Sequence, residues 1–267
     1  MTTSLLELTK HFESLWPVAG AEEWDRPGLT CGNPKQIISR VLLAVDVTAE
    51  VLEEAKARGC ELVVSHHPVL LRGVNFLSED QLKGELVAFA IKNSIALYSA
   101  HTNADIVVHG VSDVLAAAVG IKNSVPLVAT GLGIGHGRIG NLEKALKLSE
   151  LANNISEVLP KTSAPVRVAG QLDTLISKIA VVGGAGDSFI ENAKQSGADC
   201  LITSDLRHHV SLDAVSDPTK PLCLIDISHF AAESLWLSPT ADSLAKEIKT
   251  VEFFVSEVIT DPWTMTI

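Results

Sequence analysis

Short apolar runs alternate with amphipathic stretches along most of the chain, and the two patterns predict strands and helices in turn. The runs that predict strands are RVLLAVDVT, CELVVSHHP, SIALYSAHTNAD, SKIAVVGGAG, ADCLITSDL and PLCLIDIS. The stretches that predict helices are AEVLEEAKARG, QLKGELVAFAIKN, DSFIENAKQSG and HFAAESLWLSPTADSLAKEIKT. Because alternating strands and helices build β-α-β units, the pattern predicts an α/β fold with mixed, largely parallel sheets flanked by helices.

Two segments share the same order of a helix, a glycine and an apolar strand, namely EEAKARGCELVVSHH and ENAKQSGADCLITSD. This similarity predicts two similar α/β lobes. The glycine-rich segment 122–142 crosses from one set of elements to the other, so we expect lobes at residues 1–128 and 129–267. Since the segment is short for a flexible linker, we expect the lobes to pack closely.

Composition and charge narrow the class of protein. The 267 residues are 46% hydrophobic and 20% charged, which is typical of a globular chain with one large or two closely associated domains. The 32 acidic and 21 basic residues give a net charge of -11, so the basic face that nucleic acids require is not indicated. The sequence contains no apolar run of about 18 residues, and it begins with an amphipathic stretch; we therefore expect a cytoplasmic protein that does not bind membranes.

The four cysteines, Cys31, Cys60, Cys200 and Cys223, form no CxxC pair. Neither a zinc knuckle nor a disulfide framework is therefore indicated. Three of the cysteines flank or end apolar runs, so we expect these to be buried, reduced thiols, which fit a reducing compartment.

Two adjacent histidines, His66 and His67, end a predicted strand and precede Pro68. Successive side chains of a regular strand point to opposite faces, but proline lacks an N–H and ends the strand pairing. The pair therefore lies at the carboxyl end of a strand, where open α/β sheets bind ligands. The alternative is a hydrogen-bonded histidine pair in a turn.

Two further strand ends carry the same types of side chain. His101 and Asp105 follow the strand SIALY, and His229 and Glu233 stand four residues apart on the helix after LCLIDI, so they share one helical face. The alternatives are a loop histidine, a helix-capping aspartate and a solvated helix surface.

These six imidazole and carboxylate candidates include no thiolate, which favours Zn²⁺, Fe²⁺, Mn²⁺ or Ni²⁺. They exceed what one tetrahedral ion needs, so we expect two divalent ions, about 3.5–4 Å apart and bridged by a carboxylate. Hydrolysis is the natural chemistry of such a centre.

Other polar positions leave more than one interpretation open. The segment ITSDLRHHV contains Asp205, Arg207, His208 and His209. Asp205 or His209 could support the ligands, transfer protons or contact substrate, but a helix start capped by Asp205, with the basic residues on the solvated side, is favoured. The glycines of VVGGAGDS predict a tight turn between strand and helix, and Arg138 in GHGRIG could meet an anionic group.

Taken in order, EEWDRPGLTCG, SHHP, SAHTNAD, GHGRIGNL, VVGGAGDS, ITSDLRHH and DISHFAAE resemble the Nif-three-like family, whose members are described as GTP cyclohydrolase I type 2 homologues. The resemblance implies a two-lobed cytoplasmic protein with a dinuclear metal centre, usually assembled as a toroidal homohexamer. By position, it implies the metal ligands His66, His67, Asp105, His229 and Glu233, with Glu233 as the bridge. His101 matches a family histidine that moves protons or supports the ligands, and the chain is similar to the short form without a central insertion.

Three positions differ from the family pattern: Arg26 replaces an asparagine, and Ser204 and Ser228 replace glycines. The serines would strain the backbone if either position needs a positive φ.

The resulting expectation is a dinuclear metal-dependent hydrolase that acts on a small nucleotide-like or pterin-precursor substrate, with His101 as the catalytic proton-transfer group. The alternative is a non-enzymatic ring protein that stores or delivers metal or has a regulatory role. A two-metal nuclease or phosphoesterase is disfavoured by the acidic charge.

Overall fold

The computed structural model describes residues 2–131 and 133–267, in two units. The first unit contains residues 2–104 and Leu237–Thr260, and the second contains Asp105–Trp236 and Asp261–Ile267. Residues 122–142, which we expected to separate two lobes, contribute an antiparallel hairpin to the second unit.

The strands of the described chain are β1 (Thr3–Ser4), β2 (Gly28–Cys31), β3 (Ile37–Ile38), β4 (Arg40–Ala44), β5 (Leu62–Ser65), β6 (Ala96–Ser99), β7 (Lys122–Ala129), β8 (Gly135–Lys147), β9 (Arg167–Ala169), β10 (Leu175–Ala185), β11 (Cys200–Ser204), β12 (Cys223–Asp226) and β13 (Glu252–Val255). The α-helices are α1 (Leu5–Leu15), α2 (Ala49–Ala57), α3 (Leu82–Lys92), α4 (Thr102–Asp105), α5 (Val111–Ala118), α6 (Leu148–Val158), α7 (Ile190–Gln195), α8 (His208–Ser216), α9 (His229–Ser234) and α10 (Leu237–Glu247). Single 3₁₀ turns occur at Val18–Gly20 and Asp187–Phe189.

The first unit is built on a five-stranded sheet in the order β13-β4-β5-β6-β2. The first four of these strands are parallel, and β2 pairs antiparallel with β6. All residues of β5 and β6 are buried, as expected for parallel strands covered on both faces. Ser65 pairs with Ser99 at the ends of β5 and β6. The residues that follow these two strands therefore start side by side at the same edge of the sheet.

The second unit is built on a six-stranded sheet in the order β7-β8-β10-β11-β12-β9. Strands β10, β11 and β12 are parallel, and the other neighbours are antiparallel. Thr203 pairs with Asp226, which places the carboxyl ends of β11 and β12 side by side. Together, the two units confirm the predicted α/β fold with mixed sheets.

Side-chain caps begin the helices that precede or follow these strands. Ser4 and Glu7 form a reciprocal capping box at α1, and Thr48 Oγ1 accepts from Val51 N at the start of α2. The Ser228 hydroxyl caps α9 by accepting from Ala231 N at 3.1 Å. The hydroxyl at position 228 therefore has a structural use that a glycine there would lack.

The four cysteines are free, and Cys60, Cys200 and Cys223 are buried, as predicted. Among the described helices, none is long and apolar enough to cross a membrane.

Candidate metal-binding residues

The adjacent histidines His66 and His67 follow β5 directly. Their backbone N–H groups donate to the carbonyls of Ala44 and Val45 at 3.0 and 2.9 Å, so pairing continues through both residues and stops at Pro68, which has no N–H. Their ring centroids are nonetheless only 5.0 Å apart, too close for side chains on opposite faces of a sheet. The two imidazoles therefore lie on the same side of the chain.

His101, which follows β6, completes a group of three imidazoles in the first unit. Its ring centroid lies 5.2 Å from that of His66 and 5.3 Å from that of His67, with the planes nearly perpendicular. One ring nitrogen from each residue lies within 4.8 Å of the others. This spacing allows one ion to contact all three nitrogens.

Each of the three rings is oriented through its Nδ1 atom. The contacts are His66 Nδ1 to Ala100 O at 2.8 Å, His67 Nδ1 to Asp46 Oδ1 at 2.7 Å, and His101 Nδ1 to Asp25 Oδ1 at 2.9 Å. A carbonyl or carboxylate oxygen can only accept, so Nδ1 carries the hydrogen and the Nε2 atom carries the lone pair. This is the arrangement by which proteins orient metal-ligating histidines.

The Asp25 carboxylate is buried, with 3% of the residue exposed, and it comes from the EEWDRPG segment. Burial alone would raise its pKa, but hydrogen bonds from His101 Nδ1 and from the hydroxyl of Thr102 lower the pKa of Asp25 to about 2. Asp25 is therefore ionised at neutral pH and stabilises the Nδ1–H form of His101.

A second group lies in the second unit, where His229 and Glu233 occupy one face of α9. His229 Nε2 lies 2.8 Å from Glu233 Oε1, which confirms that the four-residue spacing puts both side chains together. His229 Nδ1 also lies 2.7 Å from Asp205 Oδ2. Burial opposes a charge on this imidazole, but Glu233 and Asp205 outweigh it and raise the pKa of His229 to about 11.

Gly184, in the VVGGAGDS segment, packs against this pair. Its φ is +73°, and a Cβ atom there would lie 2.7 Å from Glu233 Oε1 and 3.3 Å from His229 Nε2. The predicted tight turn thus has a more specific cause: only glycine lets the end of β10 approach the imidazole and carboxylate so closely.

Asp105 is the last residue of α4 and is half-buried. Arg138 fixes the backbone that follows it, because its guanidinium donates to the carbonyls of Ile106 and Val107. Arg138 also donates to two glycine carbonyls and to Asp113 Oδ1, and only 2% of the residue is exposed. Arg138 does meet an anionic group, but that group is the Asp113 carboxylate of the protein itself, and the guanidinium serves the protein interior.

The ITSDLRHH segment also differs from the favoured interpretation. Arg207, not Asp205, is the N-cap residue of α8, and no side chain caps that helix. Asp205 instead holds the His229 ring, and its own φ is +59°. Neither Ser204 nor Ser228 has a positive φ, so replacing the family glycines causes no strain there.

The remaining polar residues of this segment contact other partners. The Arg207 guanidinium pairs with Asp187, and the rings of His208 and His209 contact each other at 5.2 Å.

Sequence reasoning missed Asp25 and Asp46 as partners of histidines. Asp46 accepts from His67 Nδ1 and from the hydroxyl of Thr260. A signal for it was present, because Asp46 follows the carboxyl end of β4 just as the histidines follow β5 and β6.

Comparison with known proteins identifies the family. The profile of the Duf34/NIF3 (NGG1p interacting factor 3) family matches residues 3–262. The chain belongs to the NIF3 family. A Streptomyces coelicolor protein named GTP cyclohydrolase 1 type 2 homolog is 40% identical, over 97% of this chain and 93% of the relative. A Clostridium perfringens protein of the same name is 36% identical, over 97% of this chain and 98% of the relative.

Solved structures agree with the NIF3 fold. A Bacillus cereus protein related to NIF3 has a TM-score of 0.90 at 24% identity, covering 99% of both chains. A Staphylococcus aureus hypothetical protein has a TM-score of 0.89 at 26% identity, covering 98% of this chain and 99% of the other. The resemblance predicted from the motifs is thus confirmed, and the chain contains histidine and glutamate groups that could hold a metal ion.

Proposed function

We propose that this NIF3-family chain is a metal-dependent hydrolase. The observation that carries the proposal is the group formed by His66, His67 and His101, whose ring nitrogens lie within 4.8 Å of one another, so that an ion held by the first two has His101 beside it for proton transfer. Metal-ligating histidines are typically oriented by a fixed acceptor on the other ring nitrogen, and all three of these imidazoles have such an acceptor at Nδ1.

The side chains fit a divalent transition metal. Imidazole nitrogens and carboxylate oxygens suit Zn²⁺, Fe²⁺, Mn²⁺ and Ni²⁺, and the thiols of the chain lie elsewhere. His229 and Glu233 supply a further nitrogen and oxygen, with Asp205 orienting the imidazole. Because Glu233 and Asp205 raise the pKa of His229, an ion that takes its Nε2 atom competes with a proton there.

The protein residues bind, orient and hold protons. A bound divalent ion would supply Lewis acidity and lower the pKa of a water molecule towards neutrality. Asp25 keeps the hydrogen of His101 on Nδ1, so this imidazole can accept a proton at Nε2 with a buried carboxylate to stabilise the resulting charge. We therefore assign proton transfer to His101.

The resemblance further predicts two ions per chain, held by His66, His67, Asp105, His229 and Glu233 with Glu233 as the bridge. The names of the relatives, which refer to a GTP cyclohydrolase, support the substrate class that we propose. We propose hydrolysis of a small nucleotide-like or pterin-precursor compound.

The test is hydrolysis by the full chain loaded separately with Zn²⁺, Fe²⁺, Mn²⁺ or Ni²⁺ and offered GTP, other nucleotides and cyclic amides. We expect turnover with at least one metal, its loss in His66→Asn, and its retention in His109→Asn. His109 is a matched control because its side chain is 93% exposed and asparagine tolerates its φ of +63°.

A second comparison separates the role of His101 from that of a ligand. We expect His101→Asn to keep its metal and lose at least 100-fold in kcat, since general acid–base catalysis contributes about 10²–10⁴-fold. Loss of metal from His101→Asn would make it a third ligand instead. A fully loaded protein that turns over nothing in the panel, yet passes its ion to an apo-acceptor, would contradict hydrolysis and favour metal delivery.

The homohexamer and the cytoplasmic location stay predictions. Light scattering on the metal-loaded protein measures the assembly directly, and a mass other than six times the chain mass of 28.4 kDa would contradict the hexamer.

A further inference from the structure

A cavity of about 380 Å³ lies beneath α8 in the second unit, between that helix and strands β12 and β9. Its apolar wall consists of Val168, Ala169, Leu206, Leu212, Val215 and Leu224. None of the proposed metal ligands lines it. Its volume falls within the range of about 300–1,000 Å³ that is typical of small-molecule sites.

The cavity has a polar end and an apolar end, and both follow from sequence periodicity. The α8 side chains that face it lie three or four residues apart, on one side of the helix: His208, Ser211, Leu212 and Val215. The floor comes from paired residues of β12 and β9, with Asp226 opposite Arg167 and Leu224 opposite Ala169. His208 and the Arg167–Asp226 pair therefore mark one end, and Val215 and Leu224 mark the other.

An ion pair forms the floor of the polar end. The Arg167 Nε and Nη2 atoms both donate to Asp226 Oδ2, and Asp226 Oδ1 accepts from Leu206 N at 3.1 Å. Arg167 has five N–H groups, of which this pairing uses two, so it can still donate to a ligand. Asp226 Oδ1 accepts one hydrogen bond among the described residues, so it likewise has a second lone pair for a ligand donor.

The Arg167–Asp226 pair disfavours ligands that carry a net charge. A carboxylate ligand would gain from Arg167 but meet the negative charge of Asp226, and a cation would face the reverse conflict. A neutral group with an N–H donor beside a carbonyl acceptor satisfies both partners at once, with the donor on Asp226 and the carbonyl on Arg167. The apolar walls at the other end suit a flat hydrocarbon or heterocyclic ring.

We propose that this cavity binds a neutral planar aromatic compound with an amide-type edge. The ring lies between Val215 and Leu224, and the amide edge pairs with Arg167 and Asp226. The site is separate from the proposed metal chemistry, and its occupancy does not require an ion. His208 and Ser211, which are not among the proposed metal ligands, line the cavity as well.

The test compares three probes of nearly identical shape and different charge: benzamide, benzoate and benzamidine. Titration of the full-length protein by ¹H–¹⁵N NMR gives each Kd and shows which amides shift. We expect benzamide to bind at least 10-fold more tightly than the other two, with shifts confined to α8, β9 and β12. No binding of benzamide up to its solubility limit, or equal binding of all three probes, would overturn the proposal.

Variants locate the site. We expect Val215→Phe, which fills the apolar end, to abolish benzamide binding, whereas Val158→Phe places the same ring on an exposed residue of α6 and leaves the Kd unchanged. Leu212→Trp, at a half-exposed wall position, is the second filling variant in case Val215→Phe does not fold. Arg167→Met should weaken benzamide at least 10-fold, and Arg40→Met, which breaks the exposed pair with Glu252, should not. Binding that survives in every folded filling variant would overturn the assignment.

Discussion

The Nδ1 atom of His229 lies 2.7 Å from the Asp205 carboxylate, and Asp205 reaches it from a left-handed backbone with a φ of +59°. Such a conformation costs a non-glycine residue about 1–3 kcal/mol, and surrounding contacts must offset it. One of these contacts is the hydrogen bond from the next residue, Leu206 N, to the Asp226 carboxylate. The strained backbone at Asp205 therefore positions its carboxylate against His229, which we propose as a metal ligand.

Replacing Asp205 tests this role. In Asp205→Asn the negative charge is lost, so the pKa of His229 falls and the orientation of its ring loosens. We expect metal affinity to fall about 10–100-fold, as is typical when the partner of a ligating histidine is removed. Competition with a metal-binding dye measures the affinity. Asp173→Asn is the control, because Asp173 pairs with Lys147 at the surface; an equal loss in both variants would show that the effect is not specific to His229.

A substitution at Gly184 tests how closely the backbone approaches His229 and Glu233. In Gly184→Ala the new Cβ atom would lie 2.7 Å from Glu233 Oε1, on top of a backbone cost of about 1–2 kcal/mol for the positive φ. Gly133→Ala has nearly the same φ, +78°, but nothing within 4 Å, so it carries the backbone cost alone. We expect both variants to lower the free energy of unfolding and only Gly184→Ala to lower metal affinity. Wild-type metal affinity in Gly184→Ala would contradict the close approach.

Asp25 makes stability depend on acid pH. Its pKa is about 2 in the folded protein, below the ordinary value of 3.8, so its stabilising effect is fully present above pH 3.8 and is lost as the pH falls towards 2. The shift corresponds to about 2 kcal/mol. We expect the difference in unfolding free energy between the wild type and Asp25→Asn, measured with urea, to shrink over this range. A difference that stays constant from pH 5 to pH 2 would show that Asp25 is not ionised through its contacts with His101 and Thr102.

Arg138 tests the distinction between an internal and a ligand-binding arginine. Arg138→Met removes one hydrogen bond to the Asp113 carboxylate and one to each of four backbone carbonyls, and breaking a buried pair costs about 3–5 kcal/mol. Arg40→Met breaks an exposed pair, which is worth about 0–1 kcal/mol. Urea denaturation compares the two. A loss below about 1 kcal/mol in Arg138→Met would contradict the internal role.

The sequence predicts the fold and the two groups of metal-binding candidates for local reasons. Apolar runs followed by polar residues mark the carboxyl ends of β5, β6 and β12, and these ends carry His66, His101 and His229. The spacing of His229 and Glu233 is itself a contact on a helix, so it needs no knowledge of the rest of the chain. Such features depend on residues close together in the sequence.

The remaining features depend on residues far apart in the sequence. Asp205 and His229 are 24 positions apart, and Asp25 and His101 are 76 apart, so no local pattern pairs them. Asp205 precedes a helix and therefore suggests a cap, but its left-handed backbone turns the carboxylate elsewhere. An arginine in a glycine-rich segment likewise suggests contact with an anionic group, but the sequence does not reveal that this group is Asp113, 25 positions away.

The central claim is that the converging imidazoles bind a divalent metal. The most direct measurement is the number of ions retained per chain, by mass spectrometry of the dialysed protein, for the wild type, His66→Asn and His109→Asn. We predict two ions in the wild type and in His109→Asn, and loss of at least one in His66→Asn. Fewer than one ion per chain in the wild type, or wild-type retention in His66→Asn, would contradict the account.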